Sequence, residues 1–282
     1  MPAYIFIAVL AAAACHAGWN SIPKLKLTPF TSLILINVAS AVVVLPLAFV
    51  VPLPGLDAWP YLIASLVVHL FYYFALTEAY RTGDLSQVYP IARGTAPLLT
   101  ALAAYFWLGE DPDRLGWLGI AVLMSGIFVM SIAGRRSFGG IEFRGLLFAL
   151  LTAAAIALYT VIDGIGARVA TSAISYITWL FVIDGLAMLL LGVFWNGQAR
   201  LWAAFCSTWP AVTLGGAMAL LSYGTAIWAM TLSPIAHVAA VRETSVVFAA
   251  ILGVILLKEA IVPARVMAAG IVLCGLIILR LS

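Results

Sequence analysis

Two arginines stand inside long apolar stretches of the sequence. Arg93 and Arg242 each lie about eight residues inside such a stretch, which is about 12 Å along a helix. An isolated arginine at that depth of a membrane costs at least ~2.5 kcal/mol, so each requires a wet cavity or a partner. A guanidinium binds a carboxylate through two parallel hydrogen bonds, which predicts binding of an anionic group. The alternative is an internal ion pair, or capping of backbone carbonyls at a broken helix.

Carboxylates occupy comparable positions. Asp184 lies near the middle of an apolar stretch, Asp163 toward the end of the preceding one, and Glu78 near the end of an earlier one. Burial favours the neutral form of a carboxyl group, so each is a candidate for proton uptake. Each can equally neutralise a buried arginine, and Glu78 can instead be exposed at the membrane surface. Glu243 is a further proton-coupling candidate, although it points about 100° away from Arg242 on a helix and is not its natural partner.

Aromatic and amide side chains complete the set of candidate binding residues. Trp19 and Asn20 end the first apolar stretch, and an amide there can bind a solute or join two helices. Aromatic rings with polar tips can line an apolar cavity and orient a ligand, or they can belong to ordinary packing or an interfacial belt. The remaining candidates of this type are Tyr73, Tyr89, Tyr159, Tyr223 and Trp228.

The composition decides which kind of protein positions these residues. Apolar residues make up 65% of the 282 residues and charged residues 9%, far from the balance of a soluble domain. Such a chain must turn apolar surface toward lipid. Ten stretches are long enough to cross a membrane, which predicts an all-α polytopic membrane protein. Their predicted bounds are 3–22, 29–51, 59–80, 86–108, 115–134, 145–167, 172–195, 207–231, 235–257 and 262–281.

An internal repeat relates the two arginines. Shifting the chain by 149 positions places Arg93 on Arg242 and Glu110 on Glu259 without a gap. Because charges are scarce here, these matches carry more weight than apolar ones. They predict two five-helix repeats, 1–138 and 139–282, and the odd number of crossings makes the second repeat inverted. Inverted repeats place a binding site between the halves near the membrane centre, as in secondary transporters.

The small-residue pattern and a proline add two structural expectations. Gly119 and Gly126 correspond to Ala268 and Gly275 in the repeat, which predicts close helix packing between the halves or in a dimer. Pro90 lacks a backbone N–H and is expected to loosen the helix just before Arg93.

Several classes of function are disfavoured. The net charge of +3 is dispersed, so no nucleic-acid partner is predicted. The three cysteines form no CxxC pair, and no metal or cofactor is predicted. The sequence contains no GxxxxGK[ST], HExxH or GxSxG motif, which argues against ATP coupling and against an enzyme. An intramembrane enzyme and a non-transporting sensor or assembly subunit remain as alternatives to a transporter.

The chain resembles the ten-helix, EamA-type members of the drug/metabolite transporter superfamily over essentially its whole length. The resemblance is carried by Trp19-Asn20 with Lys24, by Gly83-Asp-Leu-Ser-Gln-Val-Tyr-Pro-Ile-Ala-Arg-Gly with Pro97, and by the segments ending at Glu110 and Glu259. It implies a secondary transporter of amino acids or related metabolites, with export by the amino-acid exporter branch as the first expectation. A carrier of drugs or other metabolites with proton coupling is the alternative.

The expected surroundings follow from the same features. The expected partners are a small solute with a carboxylate and membrane lipid, in a monomer or homodimer of the inner membrane. Nine Lys and Arg residues gather on one side of the predicted topology, which places both termini outside by the positive-inside rule. Members of the family usually keep both termini in the cytoplasm, so the two expectations of orientation differ.

Overall fold

The computed structural model describes residues 1–21, 27–82, 85–132, 142–258 and 262–282. All regular elements within these ranges are helical, in agreement with the predicted all-α class. Besides a short 3-10 turn at Leu56–Ala58, the helices are α1 (Ala3–Ser21), α2 (Pro29–Ala48), α3 (Trp59–Thr82), α4 (Leu85–Leu108), α5 (Arg114–Ile132), α6 (Phe143–Val169), α7 (Ala173–Asn196), α8 (Gln198–Met230), α9 (Ile235–Arg242), α10 (Ser245–Leu257) and α11 (Pro263–Leu281).

These helices make ten crossings, because α9 and α10 follow one another as a single interrupted span. In the described part of the chain, eight segments are long and apolar enough to cross a membrane by length and composition alone, including Ile235–Ile255. The other two crossings are α4, which carries Arg93, and α5, whose apolar part Arg114–Met130 is short. The predicted polytopic fold is therefore confirmed.

Alternating crossings place both chain termini at the same membrane face, here called the terminal face. The connections 49–58, 109–113, 170–172 and 231–234 lie there as well. The connections at the other face, here called the opposite face, include those between α1 and α2 and between α5 and α6. The predicted boundary between the halves, 138/139, lies outside the described residues, so the two-domain division stays a prediction.

The start of α8 and the continuity of α4 differ from the sequence-based prediction. α8 begins at Gln198 and not at 207, because Gly197, with a φ of 78°, ends α7 and allows the next helix to start at once. The first turns of α8 are not a loop, since Leu201 is buried against α2. α4 is helical through Pro90, so the expected loosening before Arg93 is not seen as a helix break.

The break occurs instead in the repeat-related span. Between α9 and α10 the backbone bonds are of the tighter i→i−3 kind, from Glu243 N to Ala240 O and from Thr244 N to Val241 O. Such a turn inside a helix commonly marks a functional position. It places Arg242 at the end of α9 and Ser245 at the start of α10.

Small residues set the closest helix contacts. A Cβ added to Gly126 would lie 2.7 Å from the backbone N of Val272, and one added to Gly275 would collide with the backbone of Leu123. The predicted close packing is thus confirmed as contact between α5 and α11, one helix from each predicted repeat. In the same way Gly216 of α8 lies against the backbone of Ser40 in α2, whose hydroxyl donates to Gly216 O at 2.9 Å.

The packing of α5 on α11 can be tested with Gly275→Ala. The added methyl group meets backbone and not a flexible side chain, so we expect a loss of roughly 1–3 kcal/mol in stability and a lower thermal midpoint in detergent. Gly270→Ala on the same helix is the matched control, because nothing lies within 4 Å of its added Cβ. Equal midpoints for the two variants would contradict this account.

Candidate functional site

A cavity of about 90 Å³ lies inside the helix bundle. Its lining residues belong to α1, α2, α3 and α4 and to α6, α7, α8 and α9. On α1 and α2 these residues lie at the helix ends nearest the opposite face. The lining residues are His16, Trp19, Leu33, Ile36, Asn37, His69, Tyr72, Tyr73, Arg93, Tyr159, Leu180, Phe181, Asp184, Ala219, Tyr223 and Arg242.

Arg242 presents a guanidinium with few polar partners. It is 3% exposed, its centre lies 5.1 Å from the ring centre of Tyr223, and it interacts with the Tyr159 side chain. Within the described part of the chain, its Nε has no hydrogen-bond partner and no carboxylate lies within salt-bridge distance of it. Cation–π contact stabilises the charge but leaves the planar edge available to an anion.

Arg93, the repeat partner of Arg242, is engaged by protein groups. Its Nε lies 3.0 Å from Glu243 Oε2, although that N–H is not aligned for a hydrogen bond, and its Nη2 donates to Ser245 Oγ at 3.1 Å. Both partners flank the break between α9 and α10. The ion pair foreseen as the alternative role of the arginines is therefore present at Arg93, which also lines the cavity.

Asp163 lies outside the cavity lining and accepts hydrogen bonds from two tyrosines. Tyr176 donates to its Oδ1 at 2.9 Å, and Tyr223 donates to its Oδ2 through a very short contact. The carboxylate is completely buried and has a donor on each oxygen. This arrangement fixes α6 against α7 and α8 and orients the Tyr223 ring beneath Arg242.

Asp184 has a different environment on α7. Tyr73 of α3 places its hydroxyl 2.9 Å from Asp184 Oδ2 and 2.9 Å from Asn37 Oδ1. The Asn37 amide donates to the carbonyl of Leu33, one turn earlier, at 2.9 Å. Asp184 Oδ1 is buried, and no hydrogen-bond partner for it occurs among the described residues.

The aromatic lining surrounds His69. Its ring stacks on Tyr159 with 4.3 Å between ring centres, and the Tyr223 ring meets it edge-on at 5.9 Å. At the α1 side of the cavity, Trp19 packs edge-on against His16 at 5.2 Å. Of the predicted aromatic residues, Trp19, Tyr73, Tyr159 and Tyr223 thus line one cavity.

Other predicted residues lie elsewhere. The Asn20 amide donates to the backbone of its own helix at His16 O, and Trp228 packs against Tyr4 near the N-terminus. Glu78 forms a 3.1 Å ion pair with exposed Arg81 near the opposite face and does not line the cavity. The side chain of Tyr89 lies outside the described part of the structure.

A second polar cluster, the terminal-face clamp, joins several helix ends away from the cavity. Glu110, in the α4–α5 connection, places Oε1 2.7 Å from Arg168 Nη1 at the end of α6, and its Oε2 accepts from Ile235 N at 2.7 Å. Arg168 also donates to Met230 O at 2.8 Å and to Ser233 O at 3.2 Å. The ends of α4, α6 and α8 and the start of α9 are thereby tied together.

Sequence reasoning missed Asn37 and the pairing of Glu110 with Arg168. Asn37 is the sole amide in the apolar sequence of α2, and that isolation is the signal that singles it out. Glu110 and Arg168 are far apart in sequence, so only the fold brings them together.

Comparison with known proteins gives a consistent assignment of fold. A family model described as the EamA-like transporter family matches residues 3–132 and 143–281. A protein of known crystal structure superposes with a TM-score of 0.77 over 99% of this chain and 96% of that chain, at 17% identity. At that identity the structural likeness concerns the fold alone.

Shorter relatives match part of the chain. The spermidine export protein MdtI of Shigella flexneri is 32% identical over 69 residues, which cover 24% of this chain and 63% of that protein. The spermidine export protein MdtI of Escherichia coli (strain K12 / DH10B) is 30% identical over 69 residues, with the same coverage. The match thus spans less than two thirds of each relative.

The pairing of Arg93 with Glu243 can be tested by removing one charge at a time. Glu243→Gln leaves a buried arginine without its counter-charge, and we expect a loss of roughly 3–5 kcal/mol in stability. The double variant Arg93→Met/Glu243→Met is expected to recover most of that loss, because neither charge is then buried. Glu142→Gln, at an exposed position, is the control. Thermal unfolding in detergent is the measurement, and equal midpoints for Glu243→Gln and Glu142→Gln would refute the pairing.

Proposed function

Since the chain belongs to the EamA-like transporter family, we propose that it carries small organic solutes across the bacterial inner membrane by alternating access between its two five-helix halves, 1–138 and 139–282. Amino acids or related metabolites are the proposed solutes, and export is the proposed direction. A multi-pass membrane protein with a cavity between its helices suits such a role.

The observation that carries the proposal is Arg242 at the cavity wall. A buried guanidinium whose Nε has no hydrogen-bond partner and that forms no salt bridge, within the described structure, is suited to the carboxylate of a solute. Tyr159 and Tyr223 add aromatic surface with polar tips beside it. In this proposal Arg93 shapes the wall and is held by Glu243, while Arg242 makes the direct contact.

The terminal-face clamp supports alternating access. Glu110 belongs to the first half, whereas Arg168 and the backbone groups that it binds belong to the second. Contacts of 2.7–3.2 Å between the halves close the terminal face, while several cavity residues lie toward the opposite face. For the solute to reach the terminal face, these contacts must separate.

The alternative is a carrier of amines, drugs or other metabolites with proton coupling. It is favoured by the similarity to proteins named for spermidine export and by the carboxylate of Asp184 in the cavity wall. Asp184 is the carboxylate best placed to exchange a proton with the cavity, because Asp163 and Glu243 do not line it.

Transport by the purified protein in proteoliposomes is the direct test of the role of Arg242. We expect Arg242→Ala to lower flux of the carboxylate-bearing solute by about 10- to 100-fold, since a charged hydrogen bond contributes roughly 1.5–3 kcal/mol. Arg242→Lys is expected to recover part of the flux, because it keeps the charge without the planar fork. Arg200→Ala, at an exposed position on α8, is the matched control. Full flux in a folded Arg242→Ala protein would exclude this role.

Locking the terminal-face clamp tests alternating access. In a background where Cys15, Cys206 and Cys274 are replaced by serine, the pair Glu110→Cys/Arg168→Cys is joined by a short reducible cross-linker. Flux is expected to stop on cross-linking and to return on reduction, because the halves cannot then part at the terminal face. Each single cysteine variant receives the same reagent as a control. Undiminished flux through the cross-linked protein would rule out opening at this position.

A further inference from the structure

We infer that Asp184, Tyr73 and Asn37 form a subsite for an ammonium group of the transported solute. The inference rests on the proposed function, because the solute must occupy the cavity that Asp184 and its neighbours line. It does not depend on the carboxylate contact at Arg242, so a solute with an amine and no carboxylate fits it equally.

The subsite is short of hydrogen-bond donors. The Tyr73 hydroxyl lies 2.9 Å from both Asn37 Oδ1 and Asp184 Oδ2, but a phenol has one proton and can donate to only one of them. The orientation of the Asn37 amide is fixed by its N–H bond to Leu33 O, so its oxygen must face Tyr73. Two acceptors therefore compete for one donor.

The second carboxylate oxygen of Asp184 also needs a hydrogen-bond donor. Asp184 is 6% exposed, and its Oδ1 has no hydrogen-bond partner in the described part of the chain. A buried ionised carboxylate is strongly unfavourable unless it is paired. An ammonium group supplies up to three N–H donors and a positive charge, which is enough for Asp184 Oδ1 and for Asn37 Oδ1 together.

A count of buried charges points the same way. Histidines aside, the charged residues buried in the described structure are two arginines and three carboxylates, Arg93, Arg242, Asp163, Asp184 and Glu243. With all five ionised, the cluster carries one uncompensated negative charge. A solute with one ammonium group and no carboxylate removes this excess on binding.

The excess is located at Asp184. Glu243 is paired with Arg93, and Asp163 has a tyrosine donor on each oxygen. Asp163 also interacts electrostatically with Asp184, and the two like charges add to the need for a cation there.

In the described part of the chain, no arginine or lysine forms a salt bridge with Asp184. Of the two buried arginines, Arg93 pairs with Glu243 and Arg242 lies over the Tyr223 ring. His69 shares helix α3 with Tyr73 and engages Ser65 Oγ at 3.2 Å. None of the described residues that line the cavity on α2, α3 and α6 is an arginine or a lysine.

The backbone around the subsite is closely packed. Gly185 follows Asp184, and a Cβ added there would lie 2.9 Å from Asn37 O and would collide with Ala41. The glycine lets α2 approach α7, which brings the Asn37 amide beside the Asp184 carboxylate. A preorganised pair of acceptors of this kind costs little to order when a cation binds.

The test compares three matched probes that carry an ammonium and a carboxylate group, the ammonium alone, or the carboxylate alone. Phenylalanine, phenethylamine and 3-phenylpropanoate share a phenyl group, and only the last lacks the ammonium. Binding to the full-length protein in detergent is measured by calorimetry, with leucine, isoamylamine and 4-methylpentanoate as a second set and spermidine as a further amine. We expect the wild-type protein to bind amine-bearing members more tightly than their deaminated counterparts.

Asp184→Asn is expected to weaken binding of the amine-bearing probes by about 10- to 100-fold, while binding of the deaminated acids stays unchanged. Asp57→Asn, at an exposed position, is the matched control for loss of one carboxylate. Unchanged affinity for amines in Asp184→Asn, or equal binding of each amino acid and its deaminated acid by the wild type, overturns the inference. Failure of every amine probe to bind the wild type also overturns it.

A second variant tests the subsite independently if Asp184→Asn does not fold. Asn37→Leu keeps the carboxylate but removes the second acceptor, and a several-fold loss of amine affinity is expected; no loss in that variant contradicts the subsite. If Asp184→Asn retains amine affinity but loses dependence on a pH gradient, Asp184 carries a proton only and the inference is wrong. Amine binding without any flux would instead refute the proposed transport and leave the subsite standing.

Discussion

Charges buried in a helix bundle surrounded by lipid must be balanced inside the protein, because neither lipid nor bulk water solvates them. In this chain that constraint organises the whole interior. Arg93 is balanced by Glu243 across α4 and the break between α9 and α10, and Asp163 is balanced by two tyrosine hydroxyls. Arg242 and Asp184 are balanced least well, and both line the cavity.

The helix geometry serves that balance. In the ninth span, i→i−3 backbone hydrogen bonds at 241–247 interrupt the regular α-helix. At this interruption the side chains of Glu243 and Ser245 both contact Arg93. Glycines have a comparable role elsewhere, since Gly185 and Gly216 let α2 fit between α7 and α8. Side chains from distant parts of the sequence meet because backbones are able to approach closely at these points.

The two repeats are related in sequence but not in the partners of their arginines. Arg93 lies in an unbroken helix and has a carboxylate, while Arg242 ends a short helix and lies over the Tyr223 ring. The cavity is therefore lined by an arginine without a salt bridge in the described structure and by a carboxylate with one unpartnered oxygen there. An asymmetric solute can be oriented in such a cavity, which a strictly symmetric one could not do.

Span length and composition are enough to predict the class of protein and the number of crossings, because lipid imposes both on every span and no tertiary contact can replace them. The scarcity of charge also makes Arg93, Arg242 and Asp184 conspicuous in the sequence alone. Which charges are paired depends on the tertiary fold, since helix packing over long sequence separations brings Glu243 to Arg93 and Arg168 to Glu110. It likewise separated Asn20 and Trp228 from the cavity and brought Asn37 into it, because the face that a helix turns inward depends on the neighbours it packs against.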